Sequence, residues 1–272
     1  MSGIKERFAA IAIALSTIFG FVGTVDAKVI GAFDFNRGFV TSNLVSGSST
    51  SQFRTAILNA GHTISGTDLL MPGYLASVDV FITGALQGSG GASSPGAVQA
   101  GEISALQSWL NGGGTFIITG EHSGFKDTYN TWLNPFGIEL DGVAANFNVA
   151  APLKDEPTDP YLLNGISGLN FPIDNRGFYD VIPTGTDVLA MGVGADDNFI
   201  IRKAVGSGFI LAIADTYFLT DNIFNSTGVQ LVLNAVDAAG AQDISAPPVA
   251  LLAFGGVVGV WMLRGRSGRR RS

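Results

Sequence analysis

The chain has no cysteine, and its 272 residues include only two histidines, His62 and His122. Disulfides, thiolate metal sites and a cysteine nucleophile are therefore excluded. Charged residues make up 14%, well below the ~25% of an average globular chain, so neither a coiled coil nor a charge-rich disordered segment fits. Bases are outnumbered 15 to 22, a formal net charge of −7, which argues against nucleic-acid binding. The glycine-rich stretch from Gly84 to Gly96 lacks a Gly-Lys-Ser/Thr step, so a phosphate-binding loop is not expected. Asp196-Asp197-Asn198 is too short for a calcium loop and reads as a hairpin turn. What the chain has is glycine, 37 residues of it, a hydrophobic fraction of 46%, and length enough for one good-sized core.

The two ends differ from the middle. Lys5 and Arg7 precede an apolar run from Phe8 to Val22, and Val25-Asp26-Ala27 supplies a small-residue cleavage site. Residues 1–27 thus read as a secretory signal peptide, with an uncleaved anchor as the alternative. At the other end fifteen uncharged residues, Val249 to Leu263, precede Arg264, Arg266, Arg269, Arg270 and Arg271. The run is short for a bilayer core but serviceable with its flanks, and the arginines hold that end in the cytoplasm. Residues 28 to 245 would then lie outside the cytoplasm. They carry eight bases and 20 acids, a net charge of −12.

Ala246-Pro247-Pro248, the apolar run and the terminal Arg269, Arg270 and Arg271 together resemble the PEP-CTERM family of bacterial sorting signals. The resemblance covers residues 246–272, with transmembrane helix 249–263 and tail 264–272. It departs from the family at its motif, where Pro-Glu-Pro is replaced by Ala-Pro-Pro. It implies processing by an exosortase-like transpeptidase, besides the signal peptidase that acts at the start. It also implies a Gram-negative envelope and an exopolysaccharide matrix. Plain membrane anchoring through the C-terminal helix is the alternative.

Between the ends, apolar strands alternate with helices. Lys28 to Phe33, His62 to Ile64, Val78 to Thr83 and Thr115 to Thr119 read as strands. Phe53, Ala56, Ile57 and Ala60 recur at helical spacing, as do Ile103, Leu106, Trp109 and Leu110. Later, Thr128 to Phe136 reads as a short helix, Pro152 to Pro160 as loop, and Asp187–Met191 with Phe199–Arg202 as an antiparallel pair. Gly208 to Ala214 is a strongly apolar strand and Gly228 to Ala238 a final helix. Repeated strand–helix units with fully apolar strands predict a mostly parallel sheet covered on both faces. One α/β domain over 28–245 follows.

The element order, Asn111 to Gly114 before a strand and Gly120-Glu121-His122-Ser123 after it, resembles class I glutamine-amidotransferase-like domains, closest to trehalose-utilisation-like and other non-amidotransferase branches. Asp159 to Ile166 and the segment from Gly206 through Asp215 to Asn222 carry the same resemblance. It implies a flavodoxin-like fold, a twisted parallel sheet with helices on both sides. Amidotransferase chemistry itself is impossible without cysteine, and a Ser123 nucleophile has no downstream histidine as base.

Polar residues at strand ends remain as a candidate ligand site: Asp34 and Asn36 after the first strand, Glu121 and His122 after the fourth, Asp215 after the late one. In an open parallel sheet, ligands sit outside the carboxyl ends of the strands. The same residue types also cap helices and stabilise turns. If clustered, the carboxylates would take up a proton or bind a divalent cation weakly; no other cofactor is expected. His62 falls at the opposite edge. Two functions fit: an envelope protein whose domain is a non-catalytic binding or structural module linked to envelope polysaccharide, or a saccharide hydrolase using carboxylates and His.

Deleting Pro247 to Ser272 should release a soluble protein. A truncated chain that still pellets with membranes after a high-salt wash would refute the anchor, and the mass of the mature protein separates cleavage of the tail from its retention.

Overall fold

A computed structural model describes residues 26–141, 147–151, 159, 161–166, 169–173, 177–191, 198–221 and 226–240. The signal-peptide and sorting segments expected at the ends lie outside the described residues apart from Asp26 and Ala27, as does the loop expected over Pro152 to Pro160 apart from Asp159. Among the described residues no helix is long and apolar enough to cross a membrane.

Five strands form the parallel heart of the sheet: β1 (Val29–Phe33), β2 (Thr63–Thr67), β3 (Val80–Ile82), β4 (Thr115–Thr119) and the last strand, β11 (Gly208–Ile213). They lie side by side in the order β2-β1-β3-β4-β11, each pair parallel. The three central members β3, β4 and β11 are buried at every position, which is why they read as unbroken apolar runs rather than alternating ones.

Helices α1 (Ser51–Asn59), α2 (Pro72–Leu75), α3 (Glu102–Asn111) and α4 (Lys126–Leu133) follow successive strands, and α5 (Ser226–Ala238) follows β11. The chain steps one way from β1 to β2 and the other way from β2 to β3 to β4. Right-handed crossovers then put α1 on one face and α2, α3 and α4 on the other. Packing agrees: α1 contacts α5, and α2 contacts α3. Within α1 and α3 the buried pairs Phe53/Ile57 and Leu106/Leu110 are four residues apart, one turn of a single face.

The α2–α4 face is aromatic. Phe33 stands edge-on to Phe81 at 4.9 Å, and Trp132 of α4 leans on Phe33 and Phe116 at 5.4 and 6.2 Å. Gly31 makes room for this layer, since a Cβ there would lie 2.8 Å from Phe81 and 2.9 Å from the Tyr74 hydroxyl.

The expectation of a mostly parallel sheet needs correction. Beyond β11 the sheet continues antiparallel through β10 (Asn198–Val205), β8 (Phe178–Val181) and β5 (Glu139–Asp141), and β9 (Thr186–Met191) also pairs with β10. The sheet is mixed because Val205 and Gly208 close a two-residue hairpin. Gly206 there has φ +60°, which permits a reversal in place of a helical crossover. A separate antiparallel pair joins β6 (Phe147–Ala151) to β7 (Leu169–Ile173).

One buried ion pair ties three loops together at the carboxyl end of this sheet. Arg37, 3% exposed, faces Glu102, fully buried, through two parallel bonds of 3.0 and 3.1 Å. The same guanidinium donates to the carbonyls of Asp68 and Ala97, both at 2.7 Å. It also lies over the rings of Phe33 and Trp132, at 4.7 and 5.6 Å from their centroids. Glu102 in turn accepts from the Leu70 and Gln99 amides at 2.9 and 2.6 Å. Glu102→Ala is expected to cost about 3–5 kcal/mol, because it leaves a buried guanidinium without its counter-charge. Arg37→Met combined with Glu102→Leu should cost less than the two single changes added together. Urea midpoints at constant m-value measure both, and a strictly additive double variant would count against a coupled pair.

Candidate functional site

The sheet's carboxyl end carries a cavity of about 300 Å³, at the small end of the ~300–1,000 Å³ range of ligand pockets. Its walls come from the segments that follow β1, β3, β4 and β11. Phe39, Thr41, Ser42 and Ser49 belong to the loop after β1, Ala85 and Leu86 to that after β3, and Glu121, His122 and Phe125 to that after β4. Tyr129 of α4 and Thr216 and Thr220 beyond β11 complete it.

The β1 loop is held from within. Asn43, fully buried, donates to the Val40 carbonyl at 2.9 Å and accepts from the Ser46 amide at 2.8 Å. Phe39 donates its amide to Ala85, 2.8 Å away, so this wall is stitched to the β3 loop. From the other side the Asp221 carboxylate accepts from the Ser51 and Gln52 amides at 3.2 and 2.9 Å. It also accepts from the Ser51 hydroxyl at 2.5 Å. A carboxylate from the segment after β11 thereby caps the start of α1, where free amides and the helix dipole favour negative charge.

At the centre, Glu121 accepts the Thr216 hydroxyl through a short hydrogen bond and the His122 amide at 3.1 Å. The His122 ring accepts the Gly124 amide on Nδ1 at 3.2 Å, which leaves Nε2 to carry the hydrogen of the neutral imidazole. Phe125 stands edge-on to that ring at 5.2 Å. Among the described residues none of the hydrogen bonds of His122 reaches a serine or threonine hydroxyl, so His122 is not paired with a hydroxyl nucleophile. Below them Tyr129, 1% exposed, accepts the Leu86 amide at 2.9 Å. Burial pushes its phenol well above its usual range, and the nearby Glu121 and Asp215 carboxylates push it the same way. Among the described residues the lining includes no lysine or arginine.

The five residues picked out at strand ends do not share one place. Glu121 and His122 form the pocket wall, and Asp215 is buried at 1% exposure next to Thr216, near enough to act on Tyr129. Asp34 and Asn36 belong to the β1–β2 side. Asp34 accepts the Phe35 amide at 2.8 Å and faces Gly66 of β2, while Asn36 donates to Asp68 at 2.7 Å. Among the described residues no three His, Cys, Asp or Glu side chains are grouped so as to hold a metal ion. His62 lies at the opposite sheet edge. It accepts the Lys28 amide at 3.2 Å, and its Nε2 is 3.8 Å from Asp237. Asp159, from the segment 159–166, is buried at 3% exposure and accepts the Tyr161 and Leu162 amides at 3.0 and 3.1 Å. It also pairs with Arg202 at 3.2 Å, so its work is structural.

Phe39, Thr41, Ser42, Tyr129 and Thr216 escaped the sequence reading. For Thr216 a signal existed, its place directly after Asp215 at the end of an apolar strand. For Tyr129 none did, since a tyrosine on a short helix reads as core.

Solved structures with the same fold include the mmIFT52 N-terminal domain, with a TM-score of 0.58 and 15% identity, covering 78% of this chain and 98% of that one. A cytoplasmic protein from Salmonella typhimurium LT2 scores 0.54 at 11% identity, covering 78% of this chain and 99% of that one. A ThuA-like protein from Bacteroides uniformis aligns more loosely, with a TM-score of 0.48 and 13% identity over 82% of this chain and 94% of that one. No family model matches the chain, and no curated protein sequence matches it. At these identities the likeness defines a class by fold alone: a mixed α/β domain with a central sheet and flanking helices.

Tyr129 and Tyr179, both fully buried, give the fold a sensitivity to alkali. An unfolded phenol ionises near 10.0, whereas burial holds these two protonated to well above it. Unfolding therefore releases protons above pH 10, and stability that is intact below that value falls as the pH rises. Urea midpoints between pH 8 and pH 11 should show the decline. Tyr129→Phe should flatten it; an unchanged slope in that variant would contradict the assignment.

Proposed function

We propose that this is an exported envelope protein, sorted to the surface or anchored by its C-terminal helix, whose domain is a non-catalytic binding module for saccharide of the surrounding matrix. The domain is best read as flavodoxin-like and amidotransferase-like. Its parallel strands follow the 2-1-3-4-5 order of that doubly wound class, and Gly120-Glu121-His122-Ser123 after β4 resembles the segment found there in the family.

The observation that carries the binding reading is the engagement of Glu121 and His122. The carboxylate is committed to the Thr216 hydroxyl and to backbone, and the imidazole to its own turn. What they leave to the cavity is a surface of acceptors, hydroxyls and aromatic rings. Sugar hydroxyls pair with the first two, and the C–H face of a pyranose packs on the third. Among its described residues the wall has a carboxylate and no base, which favours neutral or amino sugars over uronates and phosphates. Glycoside hydrolysis uses two carboxyl groups flanking the scissile bond. Here Glu121 is the carboxylate of the lining, with Asp215 buried behind it.

Calorimetry of the tail-deleted chain against neutral, amino and uronic oligosaccharides tests this. Binding is expected for the first two classes, and Glu121→Gln and Phe39→Ala should each weaken it about tenfold, ~1.4 kcal/mol. Equal binding of uronates, or release of reducing sugar that Glu121→Gln abolishes, would overturn the reading, the second in favour of a hydrolase.

A further inference from the structure

We infer that the anchored protein stands on the bilayer by the amino-terminal edge of its sheet and holds its pocket at the far pole, directed away from the membrane. The inference rests on the anchor reading of residues 249–263.

Both ends of the domain meet at that edge. β1 begins beside Lys28, whose amide is bonded to His62 at 3.2 Å, and His62 Nε2 lies 3.8 Å from Asp237 near the end of α5. Gly240, two residues past α5, is so close that a Cβ on it would lie 3.9 Å from Lys28 Nζ. The pocket is built from segments that leave the opposite ends of β1, β3, β4 and β11. The strands themselves separate the chain's exit from its cavity.

The tether is too short to undo this polarity. Residues 241–248, between the last described residue and the apolar run, can span at most about 26–29 Å when fully extended. A domain of some 210 residues has a radius of gyration near ~17 Å and, taken as a sphere, a diameter of about 44 Å. Laying the pocket pole on the bilayer would lift the tethered pole by that whole diameter, beyond the reach of the chain. Phe39 and Val40, exposed at 45% and 62% beside the cavity, thus face the matrix, although exposed apolar residues on a loop would otherwise suit a membrane wedge. The net charge of −12 over residues 28–245 also repels anionic headgroups, so the tether alone holds the domain.

Because the chain has no cysteine, single-cysteine variants place a dye unambiguously. The full chain carrying Val40→Cys, at the pocket pole, or Ala60→Cys, exposed just past α1 at the other edge, is labelled with a donor dye. It is then reconstituted into vesicles with acceptor-labelled headgroups. Energy transfer should be several-fold stronger from Ala60→Cys than from Val40→Cys. A flexible Gly/Ser insertion of about 40 residues after Gly240 should bring the two together by letting the domain tumble. Equal or reversed transfer in protein that floats with the vesicles overturns the orientation, as does a gap that the insertion leaves unchanged. Protein that does not float with the vesicles overturns the anchor reading instead, and the orientation falls with it.

Discussion

A guanidinium and a carboxylate, both out of reach of water, meet where three loops of this fold converge. Removing two such charges from solvent is costly, and the fold recovers that cost only if nearly every polar atom finds a partner in good geometry. The Arg37–Glu102 pair meets the condition by drafting backbone from everywhere around it: the carbonyls of Asp68 and Ala97, the amides of Leu70 and Gln99, and two aromatic faces. The loops after β1, β2 and β3 are thereby held in one arrangement, since moving any of them strands a buried charge.

The pocket inherits that order. Arg37 also accepts the Gln87 amide on its own carbonyl, and Phe39, two residues on, is bonded to Ala85. The wall opposite Glu121 is therefore an extension of the ion-pair network, and Asp221 holds its far end at the start of α1. Carboxylates recur around the cavity with no base among its described lining residues, and the effect is visible in Tyr129, which the two nearest of them help to keep protonated. Here Glu121 accepts the His122 amide and the His122 ring accepts the Gly124 amide.

Much of the framework was legible because it follows from one physical rule. A strand buried on both faces must be apolar throughout, and β4 was read at its observed bounds, Thr115–Thr119, for that reason. Helices α1 and α3 showed themselves through apolar residues three and four apart, whereas the four-residue α2 (Pro72–Leu75) is too short to carry such a period and was not read. The short strands β5 and β8 did not, because three or four residues with mixed exposure carry no period that can be told from a loop. Nor did the hairpin that turns the sheet antiparallel: Gly206-Ser207-Gly208 marked a turn, but a turn alone does not say which strand becomes the neighbour.

Composition and local pattern by themselves determined the absence of thiol chemistry, the order along the chain of the five parallel strands and the longer helices, and the acidic character of the middle of the chain. These depend on residue type and near spacing, which a linear sequence carries in full. Tertiary structure alone decided which polar residues share a space. Asp34 and Glu121 look alike, each a carboxylate close behind an apolar strand, yet one turns toward β2 and the other meets a threonine 95 residues away. Arg37 counted as one base among eight until folding carried it 65 residues to Glu102. Such meetings are set by strand order and by the side of the sheet on which each connection runs. Those are properties of the whole packed chain, and no local run of residues encodes them.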